Sequence, residues 1–320
     1  MKGPRRSTPE GQHRPVMLDE VLDALDPQPG ATLADCTTGW AGHSSALLRL
    51  VGPTGRLVCL DMDAENLARA RERLEEVGHP FSTHHGNFAG LAGVLGAEGI
   101  VQVDGILADL GMSSMQVDDA DRGFSYSRDG PLDMRMDRTR GVPACDLVAA
   151  MAPADLAKAL HELGDEPDAE RIAPALVEAA KAGELARTGD VVRIIQATLD
   201  LAEPWKLHPK PGKWNLHPAA RTFQALRILV NRELANLREL MRQAPFLLSP
   251  GGTIAVISFH SGEDRIVKVA FRDGLRAGTY EEIAADPIRC GFDERIDNPR
   301  ARSARLRWAR RAAEPASGDA

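Results

Sequence analysis

The sequence lacks the features that mark several protein classes. Its four cysteines form neither a Cys-x-x-Cys pair nor a zinc-type spacing. No apolar run approaches the roughly 20 residues that span a bilayer, and the N-terminus lacks the apolar core of a signal peptide. We therefore expect a soluble, cytoplasmic protein with reduced thiols, no membrane association and no metal site.

A positive net charge is also lacking, because the formal charge at pH 7 is −7. Nucleic-acid binding would therefore depend on local basic surface rather than on attraction to the whole molecule. One basic cluster contains Lys2, Arg5, Arg6 and Arg14, and a second contains Arg300, Arg302, Arg305, Arg307, Arg310 and Arg311. Taken alone, an arginine run is more typical of a solvated face or a tail.

The 320 residues, 43% of them apolar, exceed one average domain and predict an α/β domain with a smaller domain attached. Through the first half, short β-rich runs alternate with helical patterns, as in a parallel sheet with helices on both faces. The predicted strands are residues 32–36, 56–60, 81–84 and 104–110. The predicted helices are residues 44–50 and 64–77, with Asp63 as the N-cap of the second.

The pattern changes between residues 143 and 201, where helical segments and no strand are predicted. These helices are residues 154–163, 169–182 and 190–201, and Pro174 would kink the second. The four prolines of residues 202–218 then predict a stiff linker.

After the linker, apolar residues spaced three and four apart from Phe223 to Met241 predict one long helix. The run Pro250-Gly251-Gly252 predicts a turn, and residues 253–259 predict a buried strand that returns the chain to the sheet. We therefore expect a Rossmann-like α/β domain, residues 1–138 and 215–320, with an inserted helical substrate-recognition domain and linker, residues 139–214.

The first predicted strand leads into a loop of mostly small residues, Ala34-Asp35-Cys36-Thr37-Thr38-Gly39-Trp40-Ala41-Gly42-His43-Ser44. Small residues let a ligand approach the backbone at the carboxyl end of a strand. Asp61 closes the second strand 22 residues after Gly39, where an acid can bind both hydroxyls of a ribose. The pair predicts a nucleoside cofactor, whereas the glycine turn alone would equally fit a tight strand-to-helix connection.

The loop also bears on which cofactor is bound. A dinucleotide site needs G-x-G-x-x-G beneath a pyrophosphate, and this loop reads G-x-A-G instead. Asp35 would repel a pyrophosphate but could accept hydrogen bonds from the ammonium group of a methionine moiety. These features favour S-adenosyl-L-methionine over NAD.

Asp109 and His260 are the candidate catalytic residues, because each follows a strand that ends at the same crevice of a doubly wound sheet. Asp109 could equally be an N-cap or a ribose ligand, and His260 could equally be a structural histidine. Ser261 and Asp264 match a capping box, which predicts that they start a helix.

A polar loop at residues 121–137 is too irregular for a helix or a strand, and long loops of this kind usually serve a site. Its arginines and aromatics suit phosphate contact and base stacking, although an internal salt-bridge network would explain them too. The candidate nucleic-acid contacts are Arg122, Phe124, Arg128, Arg135, Arg221, Arg265, Arg300 and Arg302.

Two long motifs, Asp129-Gly130-Pro131-Leu132-Asp133-Met134-Arg135-Met136-Asp137 and His217-Pro218-Ala219-Ala220-Arg221-Thr222-Phe223-Gln224-Ala225-Leu226-Arg227-Ile228, match a known family. Shorter matches cover residues 13–21, 39–44, 85–88, 104–110, 122–125, 257–268 and 298–303. Over nearly its whole length the chain resembles the ribosomal RNA small subunit methyltransferase H family, also called RsmH or MraW. The resemblance implies methylation, by S-adenosyl-L-methionine, of the N4 amine of a specific cytidine in the decoding region of 16S small-subunit ribosomal RNA.

The resemblance also implies a set of cofactor contacts, at Ala41, Gly42, His43, Asp61, Phe88, Asp109 and Gln116, beside Asp35 and Gly39 from the loop. The family usually has glycine where Ala41 stands and leucine where Gly262 stands, and its GEERF-like run reads Gly164-Asp165-Glu166-Pro167-Asp168 here. The D-P-P-Y-like motif of DNA amino methyltransferases is absent. An aromatic from another segment, such as Phe124 or Tyr126, would then stack on the base.

A cytosine amine is a poor nucleophile, because its lone pair is delocalised into the ring. An acceptor for its N–H, which we assign to Asp109 or a neighbouring carbonyl, would help to localise that pair during in-line transfer.

Other functions predict different features. A carbon-5 cytosine methyltransferase would need a thiolate from a Pro-Cys motif, which this sequence lacks. A ribosome-assembly factor would bind S-adenosyl-L-methionine and RNA through the same residues with little chemistry, and an NAD oxidoreductase would bind NADH instead. The sequence leaves open whether naked RNA or the assembled small subunit is the substrate, and whether the protein forms a homodimer.

Overall fold

The structure, a computed structural model, describes residues 15–201 and 217–313. The basic cluster Lys2, Arg5, Arg6 and Arg14, and residues 202–216 of the predicted linker, lie outside the described residues. The chain forms two compact units, of which the first is Met1–Gly111 with Leu234–Ala320 and the second is Met112–Glu233. The narrower inserted domain expected from the sequence, residues 139–214, stays a prediction.

The described residues contain the following strands and helices. The strands are β1 Thr32–Asp35, β2 Arg56–Asp61, β3 Phe81–His85, β4 Val103–Asp109, β5 Leu248–Ser258, β6 Tyr280–Ile283 and β7 Arg305–Arg311. The helices are α1 Leu18–Leu25, α2 Gly42–Val51, α3 Ala64–Glu75, α4 Leu91–Ala97, α5 Ser114–Asp118, α6 Ala144–Ala150, α7 Pro153–Gly164, α8 Ala169–Lys181, α9 Thr188–Thr198, α10 Ala220–Asn231, α11 Glu233–Leu247, α12 Ser261–Arg276 and α13 Phe292–Asp297.

The first unit contains one seven-stranded sheet in the order β3-β2-β1-β4-β5-β7-β6. Strands β1 to β5 pair in parallel, and β7 pairs antiparallel with both β5 and β6. The order reverses between β1 and β4, and open α/β sheets bind ligands outside the carboxyl ends of the strands at such a point. The predicted Rossmann-like class is confirmed, and the four strands predicted in the first half end within one residue of their observed limits.

Both faces of the sheet are buried, as a parallel sheet requires. Along β2, Val58 and Leu60 belong to one apolar core, while Leu57 and Cys59 belong to the core on the other side. All four cysteines are free, in agreement with the sequence-based expectation. No helix within residues 15–201 and 217–313 combines the length and apolarity needed to cross a bilayer.

One expectation for the C-terminal part of the sheet is wrong. The residues Pro250-Gly251-Gly252 lie within β5, which begins at Leu248 rather than after a turn. Gly251 has a φ of 78°, and the pairing register with β4 shifts between Val103 and Gly105, so the strand absorbs these residues as an irregularity.

The arginines of the second basic cluster that lie in β7 are not a solvated face or a tail. Arg307, in β7, is buried, and its Nε donates to Asp264 Oδ1 at 2.8 Å. Arg305 lies 3.5 Å from the same carboxylate, and Arg310 lies 3.2 Å from Glu282. This part of the cluster therefore belongs to the sheet, because β7 pairs with strands on both sides, whereas Arg300 and Arg302 precede the strand in a 3-10 turn.

In the second unit, α7, α8 and α9 correspond to the three predicted helices of the insertion, and their limits differ by at most three residues. No strand is assigned between residues 143 and 201, although Arg187 forms an isolated β-bridge with Pro131.

The single long helix predicted between Phe223 and Met241 is wrong, because the chain breaks between α10 and α11. Arg232 is left-handed, with a φ of 52°. The side chain of Asn231 accepts the Met136 N–H (2.8 Å) and donates to Met134 O (2.8 Å) and Arg227 O (2.9 Å). These bonds fix the break, and the apolar spacing continues across it, so the sequence pattern does not reveal it.

Candidate functional site

Asp35 closes β1 and is buried. Its Oδ1 accepts the Thr37 backbone N–H at 3.1 Å, and its Oδ2 accepts the Ser44 hydroxyl at 2.5 Å. Burial raises the pKa of this carboxyl group to about 6, although the two hydrogen bonds act in the opposite direction. Asp35 thus fastens both ends of the loop between β1 and α2. Because each carboxylate oxygen can accept more than one bond, its contact with the cofactor ammonium stays a prediction.

Gly39 and Asp61, the two residues paired by sequence spacing, are in direct contact. The Gly39 N–H donates to Asp61 Oδ2 at 2.7 Å, and the Asp63 N–H donates to Oδ1 at 2.7 Å. The left-handed φ of Gly39, 54°, turns the loop back toward β2. Burial raises the pKa of Asp61 to about 6. The arrangement leaves further lone pairs on the carboxylate for the predicted ribose hydroxyls.

The turn into α2 brings His43 to the end of β4. Ala41 precedes the helix with a left-handed backbone, φ 60° and ψ 32°. A Cβ on Gly42 would lie 3.1 Å from Pro15 Cβ, so the segment around Pro15 covers this turn closely. His43 is buried, with Nε2 2.9 Å from Val16 O and Nδ1 3.8 Å from Asp109 Oδ2.

Asp109 lies at the carboxyl end of β4, where its backbone N–H donates to Thr37 Oγ1 at 2.6 Å. Its Oδ1 is buried and has no hydrogen-bond partner among the described residues. Burial, reinforced by the negative charges of Asp35 and Glu263, raises the pKa of Asp109 well above its usual value, and Arg300 opposes this rise. The crevice therefore holds a carboxyl group that favours its protonated form and has one oxygen available to a ligand.

His260 stands at the start of α12 as its N-cap. The Glu263 carboxylate accepts the backbone N–H groups of Phe259 (2.8 Å) and His260 (3.3 Å). The predicted capping box of Ser261 and Asp264 is therefore one residue out of register, and Asp264 instead pairs with arginines of β7. The His260 Nε2 lies 3.3 Å from Glu263 Oε1. This buried nitrogen forms no hydrogen bond within the described residues, so His260 caps α12 through its backbone, and a catalytic role for its side chain stays a prediction.

Phe88 lies directly after β3, at the start of a 3-10 turn, Phe88–Gly90. The Asn87 side chain accepts the Ala89 N–H at 2.8 Å and fixes this turn. Phe88 belongs to the same buried cluster as Leu91, so much of the ring packs in the core. The contact of Phe88 with the cofactor stays a prediction.

The remaining predicted cofactor residue, Gln116, belongs to the second unit. Its side chain accepts the Ser113 N–H at 3.0 Å, and the Ser113 hydroxyl accepts the Gln116 N–H at 3.3 Å, which is a capping box for α5. Gln116 is buried, and its cofactor contact stays a prediction.

The polar loop of the second unit contains the internal network foreseen as its alternative explanation. Arg122 is buried and donates to Arg135 O (3.2 Å) and Met136 O (2.8 Å). Arg135 forms two parallel bonds with Asp133, at 2.7 and 3.0 Å. These arginines therefore hold the loop, and RNA contact by them stays a prediction.

The other predicted RNA contacts differ in their surroundings. Arg128 lies 3.0 Å from Asp118 in the second unit, where Phe124 is buried and Arg221 is half-buried in α10. The ring of Tyr126, the other aromatic considered for base stacking, stacks on His217 with centroids 4.4 Å apart. In the first unit, Arg265 and Arg302 are exposed and Arg300 is half-buried.

Sequence reasoning missed Thr37, Ser44 and Glu263, which position the carboxylates or the histidine of the site. Thr37 and Asp109 are 72 residues apart, and their contact arises because β1 and β4 are neighbours in the sheet. The spacing of residues in the sequence carries no sign of this contact, although the small polar residues of the loop would have made Thr37 a reasonable candidate.

Known proteins are similar to this one over most of the chain. The MraW methylase family matches residues 10–312. Ribosomal RNA small subunit methyltransferase H of Chromobacterium violaceum is 42% identical over 330 residues, covering 98% of this chain and 100% of that protein. The protein of the same name from Methylococcus capsulatus is 43% identical over 310 residues, covering 93% of this chain and 100% of that protein. A solved SAM-dependent O-methyltransferase from Thermotoga maritima has 10% identity and a TM-score of 0.43, covering 96% of this chain and 69% of that chain.

Proposed function

The chain belongs to the MraW methylase family, and on that premise we propose that it methylates the N4 amine of a specific cytidine in the decoding region of 16S ribosomal RNA. S-adenosyl-L-methionine, predicted from the loop after β1, is the methyl donor. The family resemblance supports the choice of base and atom, and the names of the curated relatives support small-subunit ribosomal RNA as the substrate.

The observation that carries the proposal is the set of three carboxyl groups at one edge of the sheet. Asp35, Asp61 and Asp109 end β1, β2 and β4, which are adjacent strands at the point where the strand order reverses. Burial raises the pKa of each. A cationic ligand would reduce the repulsion among these carboxylates and offset the cost of burying their charges. The sulfonium cofactor is such a ligand.

The residues of the crevice fit this cofactor. Asp61 and Gly39 would hold the ribose, and Asp35 would accept the ammonium group. When bound, S-adenosyl-L-methionine supplies a methyl group on a positively charged sulfur. The buried Oδ1 of Asp109, which lacks a partner in the described part of the chain, would then accept the N–H of the target amine and orient its lone pair.

Arg300 acts on the charge of Asp109. Arg300 opposes the rise in the pKa of this carboxyl group, and a bound cation would also act to lower that pKa. His43 lies close to the other oxygen, with its Nδ1 3.8 Å from Asp109 Oδ2. In its ionised form Asp109 can accept hydrogen bonds at both oxygens, which is the form that the proposed role requires.

The test is a methylation assay on both a decoding-region RNA fragment and the assembled small subunit, with N4-methylcytidine measured by mass spectrometry. The wild-type protein should form N4-methylcytidine at one position of at least one substrate. The Asp109→Ala variant should keep its affinity for S-adenosyl-L-methionine within a few-fold and lose at least about 100-fold in turnover, in the range of a missing acid–base group.

Full turnover by Asp109→Ala with unchanged cofactor affinity would remove Asp109 from the reaction. A strain lacking the protein provides the second test. If its ribosomal RNA carries the same cytidine methylation as the parent strain, the protein acts as a binding factor in ribosome assembly and not as the methylating enzyme.

A further inference from the structure

A cavity of about 230 Å³ in the first unit is lined by three arginines. Arg289 lies before α13, Arg295 lies on α13, and Arg302 ends the 3-10 turn Pro299–Arg302. Cys290 and Ala301 complete the lining. Because water occupies about 30 Å³ per molecule in the liquid, the cavity has room for a phosphate group and several waters.

The arginines of this cavity differ from those of β7 in their ion pairs. Within residues 15–201 and 217–313, none of the three guanidinium groups forms an ion pair, whereas Arg305, Arg307 and Arg310 of neighbouring β7 all do. The three arginines of the cavity are exposed, whereas those three arginines of β7 are half-buried or buried.

Acidic residues also lie on α13, but among the described residues none of them forms an ion pair with the three arginines. Glu294, on α13, accepts the Met17 backbone N–H at 2.9 Å, and its negative charge acts on the Cys290 thiol. Cys290 is buried, its Sγ lies 3.1 Å from Ala301 O, and burial raises the pKa of the thiol, so it is neutral at pH 7.

Backbone carbonyls hold two of the three guanidinium groups, those of Arg302 and Arg289. Arg302 Nε donates to Arg295 O at 2.8 Å, and Arg289 Nη1 donates to Ala304 O at 3.3 Å. Each of these side chains has further N–H donors beyond the one in use, since a guanidinium has five. Planar, fixed donors of this kind suit a phosphate, which arginine binds through paired hydrogen bonds.

We propose that Arg289, Arg295 and Arg302 form a binding site for a backbone phosphate of a single-stranded RNA segment, an inference that rests on the proposed function. Phe292 lies three residues before Arg295 on α13, on the same side of the helix, and its side chain is 76% exposed. An exposed ring next to a phosphate site lets a base stack while its phosphate is held, which is the usual way that proteins bind unpaired RNA.

The site is joined to the crevice by a short element. Arg300 and Arg302 belong to the same 3-10 turn, which rises only about 2 Å per residue. Arg300 acts on the charge of Asp109, while Arg302 lines the cavity. RNA held at the cavity would therefore lie beside the catalytic end of the sheet, whereas a free anion bound there would serve no function in the reaction.

The experiment measures the affinity of the full chain for a fluorescent single-stranded RNA by anisotropy over a range of KCl concentrations. The Arg295→Gln/Arg302→Gln variant should bind at least about 10-fold more weakly, and the slope of log K against log salt should fall by roughly 0.7 for each phosphate that the variant no longer binds. Its affinity for S-adenosyl-L-methionine, measured by calorimetry, should be unchanged. Phe292→Ala should weaken RNA binding without changing the salt slope.

The matched control is Arg272→Gln, which removes an exposed arginine of the same unit, on α12, that has no ion pair in the described residues. It should leave RNA affinity within about twofold of the wild type, because it lies outside the cavity. Arg302→Lys keeps the charge but not the Nε bond to Arg295 O, and it should restore part of the affinity that Arg302→Gln removes.

Three results would overturn the inference. The first is equal RNA affinity for the double variant and for Arg272→Gln. The second is equal weakening of RNA binding by Arg302→Lys and Arg302→Gln. The third is a rise in melting temperature with added phosphate that the double variant abolishes while its RNA affinity stays unchanged. The last result would make the cavity a site for free phosphate. Because binding is measured without turnover, a wild-type protein that binds RNA through these arginines but transfers no methyl group would refute the proposed function alone.

Discussion

The backbone of Ala41 is left-handed, with φ 60° and ψ 32°, at the residue that precedes α2. In this region the Cβ of a residue other than glycine costs about 1–2 kcal/mol. We expect Ala41→Gly to raise the free energy of unfolding by about 0.5–1 kcal/mol, because glycine removes that strain but adds about 0.4–1 kcal/mol of entropy to the unfolded chain. Urea denaturation of the two proteins measures the difference.

Ala46→Gly is the matched control, because Ala46 lies inside α2, where the backbone is right-handed. This change should lower the free energy of unfolding by about 1 kcal/mol, as glycine does within helices. If both substitutions destabilised the protein equally, the left-handed geometry of Ala41 would not be a source of strain.

The sequence predicts the acids of the site better than the residues that contact them. Asp35, Asp61 and Asp109 are predictable because each closes a β-rich run, and strand ends are recognisable from composition. Thr37 is not, because its contact with Asp109 depends on which strands are neighbours. Residue type and spacing within one segment are visible in a sequence, whereas contacts between distant segments require the topology.

Strand β7 allows a buried arginine to be compared with an exposed one in the same element. The Arg307 side chain is 5% exposed and donates to Asp264 Oδ1 at 2.8 Å and Ala285 O at 2.9 Å. The Arg310 side chain is 39% exposed and pairs with Glu282 on the surface. We expect Arg307→Gln to cost about 3 kcal/mol, because it leaves a partly buried carboxylate with fewer partners.

Arg310→Gln should cost less than about 1 kcal/mol, as exposed ion pairs usually do. Urea unfolding curves of the two variants give the comparison. Similar destabilisation by the two changes would mean that β7 is not anchored by Arg307, and the run would then resemble the solvated face expected from its composition.

The break between α10 and α11 rests on Asn231, whose side chain makes three hydrogen bonds to the backbone. We expect Asn231→Ala to lower the free energy of unfolding by about 2–4 kcal/mol, because it leaves buried backbone groups unsatisfied. Gln224→Ala, on the same helix, removes a single bond to Leu163 O and should cost about 1 kcal/mol. Equal effects in thermal unfolding would mean that Asn231 does not fix the break.

The elements that the sequence predicts correctly have strong patterns of their own. Strand β2 is a run of apolar residues, and α3 begins at Asp63, whose side chain accepts the Glu65 N–H as an N-cap should. Strand β7, an arginine run, has no such pattern, and its burial depends on Asp264 of α12 lying beside it. The break after Asn231 is hidden for the same reason, since its partners at residues 134 and 136 come from another segment.

The charge of the whole molecule includes groups that titrate when the crevice is filled. Burial raises the pKa of Asp35 and Asp61 to about 6 and raises that of Asp109 well above its usual value, so part of this set carries protons near neutral pH. A sulfonium cation favours the ionised form of each acid and therefore lowers all three pKa values. The complex should consequently bind fewer protons than the free protein.

We therefore expect the binding of S-adenosyl-L-methionine at pH 6.5 to release up to about one proton, with affinity rising as the pH increases through 6. Calorimetry in buffers of different ionisation enthalpy counts the protons. The release should decline toward pH 8, because Asp35 and Asp61 are then already ionised in the free protein. S-adenosylhomocysteine, which lacks the sulfonium charge, is the matched ligand and should release fewer protons. Equal release by the two ligands, or proton uptake with either, would contradict a crevice whose carboxyl groups respond to the charge on sulfur.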